Sequence, residues 1–137
     1  YFYGSGGAYV IYGGNARDTL DYSESELNSA VWFFLDQGQG RIYKPDGNFD
    51  VAFNVEIFIG TQYDDIFTGT SEDHAFYGLA GNDTFHGSLG NDTFDGGEGY
   101  DKAIYSKWTS GGITVNLLEN KVFKNKSIDN LINVEHI

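Results

Sequence analysis

The chain has 137 residues, enough for one domain or a short stretch of a repeat array. Twenty acidic against eight basic side chains leave a formal charge of −12, which excludes a phosphate-binding face, and so a nucleic-acid partner, and suits a host for cations. With no cysteine, disulfides and zinc–thiolate sites are excluded, and bound metal is the obvious substitute staple for a secreted chain of this size.

An aromatic share of 17% supplies core material that disordered acidic chains lack. No signal peptide and no apolar run long enough to span a bilayer are visible, so a soluble fragment without a membrane span is expected. Nineteen glycines against one proline make period the next question.

Residues 1–21 hold two glycine-led stretches, starting at Gly4 and Gly13, that read as degenerate copies of a nine-residue unit. Residues 22–55 form a long segment without the glycine period. Within it Val31, Phe33 and Leu35 alternate as a half-buried strand does, and Arg41 to Lys44 reads as a second strand. This segment is expected to continue a solenoid as a larger coil or strand pair, with a flap packed on its side as the alternative.

Residues 56–104 carry the clear repeat. Blocks of nine open at Gly60, Gly69, Gly78, Gly87 and Gly96, and Phe58, Phe67, Phe76, Phe85 and Phe94 recur every nine residues. The sixth position of the five blocks is Asp65, His74, Asp83, Asp92 and Asp101. Glycines at turn positions, Asp at six and an apolar residue at eight make the calcium-binding β-helix nonapeptide. Six residues turn, using glycine's positive-φ freedom, and three form a strand whose middle residue points inward. Two nonapeptides complete one coil, so Asp65, Asp83 and Asp101 line one edge and Glu56, His74 and Asp92 the other. Carboxylates stacked at roughly 5 Å repel, and a hard cation between successive turns removes the repulsion. Folding and calcium binding are therefore expected to be coupled.

Residues 105–137 form a second long segment and the start of the next repeat. Tyr1 to Tyr22 aligns with Thr84 to Tyr105 at an offset of 83, and Arg41-Ile42-Tyr43-Lys44 matches Lys121-Val122-Phe123-Lys124. Asn54-Val55-Glu56 likewise matches Asn133-Val134-Glu135, while Ile113, Val115 and Leu117 repeat the alternating strand. The unit is thus a run of nonapeptides followed by a segment with two more strands. In the first copy Tyr9 stands where Asp92 does, so weak or no metal is expected at Gly4–Asp18, with aromatic stacking in its place. The missing caps predict a piece of a longer array.

The run from Asp18-Thr19-Leu20-Asp21-Tyr22-Ser23 through Asn54-Val55-Glu56 into the Gly-Asn-Asp-Thr-Phe blocks resembles the repeats-in-toxin (RTX) family. It is similar to the β-roll of serralysin-type proteases and to roll modules of RTX adhesins. The resemblance implies an all-β, right-handed parallel β-roll or solenoid, export by a type I system, and two or more Ca2+ ions between turns one coil apart. One implied site takes Thr61, Tyr63 and Asp65 with Gly78, Ala80 and Asp83. A second takes Leu79, Gly81 and Asp83 with Gly96, Glu98 and Asp101. On the opposite edge Gly87, Leu89 and Asp92 would face Thr70, Glu72 and His74. There His74 is a poor ligand for a hard cation, and Asp73 would have to swing in.

No HExxH or nucleophile-elbow context surrounds the histidines or Ser106 and Ser110, and ladder positions account for the carboxylates better than a glycosidase pair does. His74, His86 and His136 read as surface or turn residues, and Lys121, Lys124 and Lys126 as a solvated loop. Half or more of Tyr1, Tyr3, Tyr9, Tyr12, Tyr22 and Tyr105 are expected to pack between coils. The expected role is a non-catalytic calcium-stiffened module of a larger secreted or cell-surface bacterial protein, of adhesin, surface-layer or filament type. The alternative is the roll of a secreted protease, lipase or epimerase. Expected partners are calcium and neighbouring repeats of the same chain, with self-association left open.

Overall fold

The computed structural model describes residues 1–36, 39–105 and 112–137, and among them every regular element is a β-strand. The chain opens with β1 (Phe2–Tyr3), β2 (Val10–Tyr12) and β3 (Thr19–Asp21). Next come β4 (Trp32–Asp36), β5 (Gln39–Tyr43) and β6 (Phe49–Phe53). The nonapeptide run supplies β7 (Ile57–Ile59), β8 (Ile66–Thr68), β9 (Ala75–Ala80), β10 (Thr84–His86), β11 (Thr93–Glu98) and β12 (Lys102–Ile104). Last are β13 (Thr114–Asn116), β14 (Lys121–Phe123) and β15 (Ile128–Ile132). Ser106 and Ser110 lie outside the described residues.

Two sheets result, ordered β1-β3-β7-β9-β11-β15-β14-β13 and β12-β10-β8-β4-β5-β6-β2. Through the nonapeptides the pairing is parallel with an 18-residue register: Phe58 lies beside Phe76 and Phe76 beside Phe94, while Phe67 pairs with Phe85. These five rings are at most 1% exposed. Phe67 meets Phe76 across the sheets at 5.3 Å between ring centroids, and Phe85 meets Phe94 at 5.2 Å. The period-nine phenylalanine therefore builds one continuous core between facing sheets, each buried ring contributing about 1.5–3 kcal/mol.

The long segments are antiparallel meanders lying in the sheets. β4 pairs parallel with β8, β5 joins β4 and β6 antiparallel, and β6 pairs parallel with β2. In the second copy β15 pairs parallel with β11, and β14 joins β15 to β13. Each meander has three strands, not the two expected. The missed strand, β6 or β15, has mixed polarity: Asp50 and Asp129 are fully buried, while Phe49 and Ile128 face solvent. Each still sends one apolar residue inward, Ala52 or Leu131, but a strand that pairs it with an inward carboxylate and shows apolar residues to solvent does not announce itself by alternation.

Val31, Phe33 and Leu35 are buried, but Ile113, Val115 and Leu117 are not, at 37%, 38% and 73% exposure. Among the described residues β13 has one strand neighbour, and the facing sheet has no strand beyond β12, only a single bridge from Lys102 to His136. The tyrosines also divide differently from expectation. Tyr22 is buried and Tyr105 half-buried, while Tyr1, Tyr3, Tyr9 and Tyr12 are exposed, lying on or beside the short strands β1 and β2.

Candidate metal centre

The sixth-position residues stack into two ladders at the sheet edges. On the first edge Asp65 Oδ1 accepts from the Val31 N–H at 2.6 Å, Asp83 Oδ1 from Asp65 at 2.7 Å, Asp101 Oδ1 from Asp83 at 2.7 Å, and Glu135 Oε2 from Asp101 at 2.8 Å. Each acid thus holds the backbone of the neighbouring coil. The fifth positions make a parallel outer ladder, with Asp64 accepting from Asn82 N–H at 2.7 Å and Asn82 from Tyr100 N–H at 2.9 Å.

The other carboxylate oxygens decide the chemistry. Asp65 Oδ2 accepts from the Thr61 N–H at 2.5 Å and the Thr61 hydroxyl at 3.1 Å. Asp83 Oδ2 and Asp101 Oδ2 are buried and have no hydrogen-bond partner. A Cβ on Gly78 would strike Asp83 Oδ2 and the Gly96 carbonyl, and one on Gly96 would strike Asp101 Oδ2 and the Asn133 carbonyl. The carbonyl oxygens of Tyr63, Leu79 and Gly81 likewise crowd against Gly81, Gly97 and Gly99 of the next coil. At Gly78 and at Gly96 a carboxylate oxygen and a backbone carbonyl thus crowd the same space, and neither carboxylate oxygen has a donor. Buried groups in that arrangement are costly unless a cation joins them.

The electrostatics agree. Burial pushes the Asp83 carboxyl up to about 8 and that of Asp65 to about 6, and it raises Asp101 too. Like charges one coil away add to the rise at Asp83, from Asp65 and Asp101. Among the described residues no three His, Cys, Asp or Glu side chains converge. The carboxylates pair across coils and backbone carbonyls complete the set, a donor mix that suits calcium, which takes six to eight oxygens of either kind.

The residues of the second implied site are brought together between adjacent coils. Leu79 and Gly81 present carbonyls to the next coil, Asp83 and Asp101 carry the orphaned oxygens, and Gly96 supplies the facing carbonyl. Glu98 O also accepts from the Gly81 N–H at 3.0 Å. Leu79 sits at φ 81° and Gly81 at φ 116°, the left-handed backbone that turns these carbonyls inward. For the first implied site, Thr61, Tyr63 and Asp65 lie one coil from Gly78, Ala80 and Asp83, but Thr61 already closes the outer oxygen of Asp65. Asn133 and Glu135, which continue the ladder beyond Asp101, were missed. Their signal was the match of Asn133-Val134-Glu135 to Asn54-Val55-Glu56, where Glu56 Oε2 accepts from the Asp18 N–H at 2.9 Å.

On the opposite edge Gly87 and Asp92 are buried and Leu89 is 54% exposed. Asp92 Oδ1 accepts from the His74 N–H at 3.1 Å. His74 is 5% exposed rather than a surface residue, with its ring on Phe76 at 5.6 Å and Nδ1 without a hydrogen-bond partner. Asp73 does not swing in. It stays outside and accepts from the Asn91 N–H at 2.8 Å. Nor is Lys124 part of a solvated loop: it is 8% exposed, and its ammonium is 2.5 Å from Asp129 Oδ1.

The description "RTX calcium-binding nonapeptide repeat (4 copies)" matches residues 1–24 and 75–103, so it takes in the degenerate first copy as well as the clear run. No curated protein matches the chain in sequence. Among solved structures, the crystal structure of the extracellular lipase LipA from Serratia marcescens is similar at 17% identity and a TM-score of 0.32. That similarity covers 94% of this chain, which spans 32% of the lipase. The periodic sequence, the parallel 18-residue register and the family match converge: residues 1–24 and 75–103 carry the RTX calcium-binding nonapeptide repeat, in a fold whose described elements are all β-strands.

Proposed function

We propose that the chain is a structural module whose roll is completed by calcium on the first edge. Asp83 and Asp101, with the carbonyls of Leu79, Gly81, Gly96 and Glu98, would hold one ion. Asp65 and Asp83, with carbonyls of Thr61, Tyr63, Gly78 and Ala80, would hold another. Calcium supplies charge neutralisation between stacked carboxylates and ties one coil to the next. The observation that carries this reading is the pair of buried, unpartnered oxygens on Asp83 and Asp101. The chain's own contribution is the scaffold that orients the ligands. Backbone N–H groups aim each carboxylate along the stack, and the phenylalanine core fixes the coil spacing.

The repeats are a structural calcium-binding module rather than a catalytic one, and we place them in a larger secreted or cell-surface bacterial protein. The long repeating unit, with its meanders built into the sheets, favours a stiff extracellular element of adhesin, surface-layer or filament type. A folding and secretion roll beside a catalytic domain of an RTX protease, lipase or epimerase is the second reading. Far-UV circular dichroism during a calcium titration, with magnesium as control, tests the common part. A calcium-specific gain of β signal, abolished in Asp83→Ala, is expected. A fully folded spectrum that ignores calcium after exhaustive chelation would overturn it.

A further inference from the structure

One ladder station on the second edge is filled by the protein's own cation. The Lys124 ammonium donates to the Ser88 carbonyl at 2.6 Å, the Gly90 carbonyl at 2.6 Å and Asp129 Oδ1 at 2.5 Å, and it lies 3.8 Å from Asp92 Oδ2. Ser88 and Gly90 are the second and fourth residues of the block that opens at Gly87, and Asp92 is its sixth. They stand in the same block positions as Leu79, Gly81 and Asp83 on the first edge. Asp129 supplies the carboxylate of the next coil, since its Oδ1 accepts from the Asp92 N–H at 2.9 Å.

We infer that Lys124 occupies a latent calcium station and makes the junction between the nonapeptide run and the second meander independent of the metal. This inference rests on the calcium reading of the first edge. A lysine brings one positive charge where calcium brings two, yet two carboxylates surround it. Hydroxyl donors supply the difference. Tyr105 donates to Asp129 Oδ2 at 2.7 Å, and Ser88 donates to Asp92 Oδ2 at 2.8 Å.

The first copy repeats the device with its charges adjusted. The Lys44 ammonium donates to the Ser5 carbonyl at 2.9 Å and Asp50 Oδ1 at 2.7 Å, and Tyr22 donates to Asp50 Oδ2. Asp50 Oδ1 also accepts from the Tyr9 N–H at 2.9 Å, as Asp129 does from Asp92. Tyr9 stands where the second carboxylate would be and gives its ring to the ammonium at 5.5 Å. One cation there faces one anion, both fully buried. Lys44 and Lys124 are equivalent in the long repeat, as are Ser5 and Ser88, and Tyr22 and Tyr105. The recurrence of lysine, aspartate and tyrosine around the same carbonyl marks a built station, because a buried ammonium persists only where its partners are complete.

Calcium stoichiometry per chain, measured by titration calorimetry on wild type, Lys124→Ala and Lys44→Ala, tests the inference. Lys124→Ala is expected to bind one ion more than wild type and to need calcium for stability at this junction. Lys44→Ala is expected to gain none, since Tyr9 offers no carboxylate. A folded Lys124→Ala with the wild-type stoichiometry overturns the proposal. A wild type that binds no calcium overturns the first-edge reading and this one with it. Should Lys124→Ala not fold, the nitrogen-15 signal of the Lys124 ammonium in wild type decides. It is expected to remain through calcium saturation, and its displacement by calcium would overturn the proposal.

Discussion

Asp83→Asn separates the two roles of the central carboxylate. The substitution keeps the shape, and the amide oxygen still accepts from the Asp65 N–H, so no donor is orphaned, which would cost about 1–3 kcal/mol. Only the charge leaves. Asp65 and Asp101 lie one coil to either side, ~4.8 Å away at the usual strand spacing. A like-charge pair at that distance costs about 1 kcal/mol even in water and more in a buried site, so relieving two pairs stabilises the metal-free fold by about 2 kcal/mol or more. With calcium the sign reverses. The missing charge weakens ion binding, and each tenfold loss in affinity costs about 1.4 kcal/mol of linked stability. Urea denaturation followed by circular dichroism at pH 8, once with chelator and once with calcium, reads both. The variant should melt later than wild type in chelator and earlier in calcium. If chelated wild type is already unfolded, the gain appears as recovered β signal. The same rank order in both conditions would refute the reasoning.

Two further outcomes follow from the same site and its core. Asp83 and Asp65 have folded-state values raised above their unfolded 3.8, to about 8 and about 6, so the metal-free fold binds protons more tightly than the unfolded chain. Its stability should be greatest below about pH 4 and decline as pH rises toward 8, while calcium affinity rises over the same range; melts in metal-free buffers across that span check the sign. Phe76→Ala removes a fully buried ring that packs on Phe58, Phe67 and Phe94 and should cost about 3–5 kcal/mol in chemical denaturation with calcium present, because the stacked rings cannot close the gap.

How much the sequence disclosed depends on how far each residue obeys its period. Phe58 to Phe94 announce the core because one ring per nine residues has no other use in a two-sheet roll. The stacking of Asp83 beside Asp65 and Asp101 is as legible, since the sixth position recurs with the same period. Where the chain solves the same problem with its own atoms, the pattern is hidden. Lys124 lies between exposed Asn125 and half-buried Phe123, and nothing local says that its ammonium is buried. Asp50 and Asp129 point inward to meet lysines, beside only one buried apolar residue each, Ala52 and Leu131, which blurs the alternation of β6 and β15 and conceals both strands. The comparison of the two copies held the missing signal: Lys44 and Lys124, Tyr22 and Tyr105, and Ser5 and Ser88 all recur together.

The two meanders also set the path of the roll. Between β2 and β8 one sheet takes three strands where the facing sheet, between β3 and β9, takes only β7. Two surplus strands lengthen that face by ~10 Å, a wedge that tilts the coil axis away from it. The corresponding strands β2 and β11 are seven sheet-to-sheet crossings apart, counting the meander as one, and an odd count moves the next wedge to the other face. The tilt of one unit is therefore answered by the opposite tilt of the next. Units joined in this register would run straight over every pair, each side showing one broad meander in two.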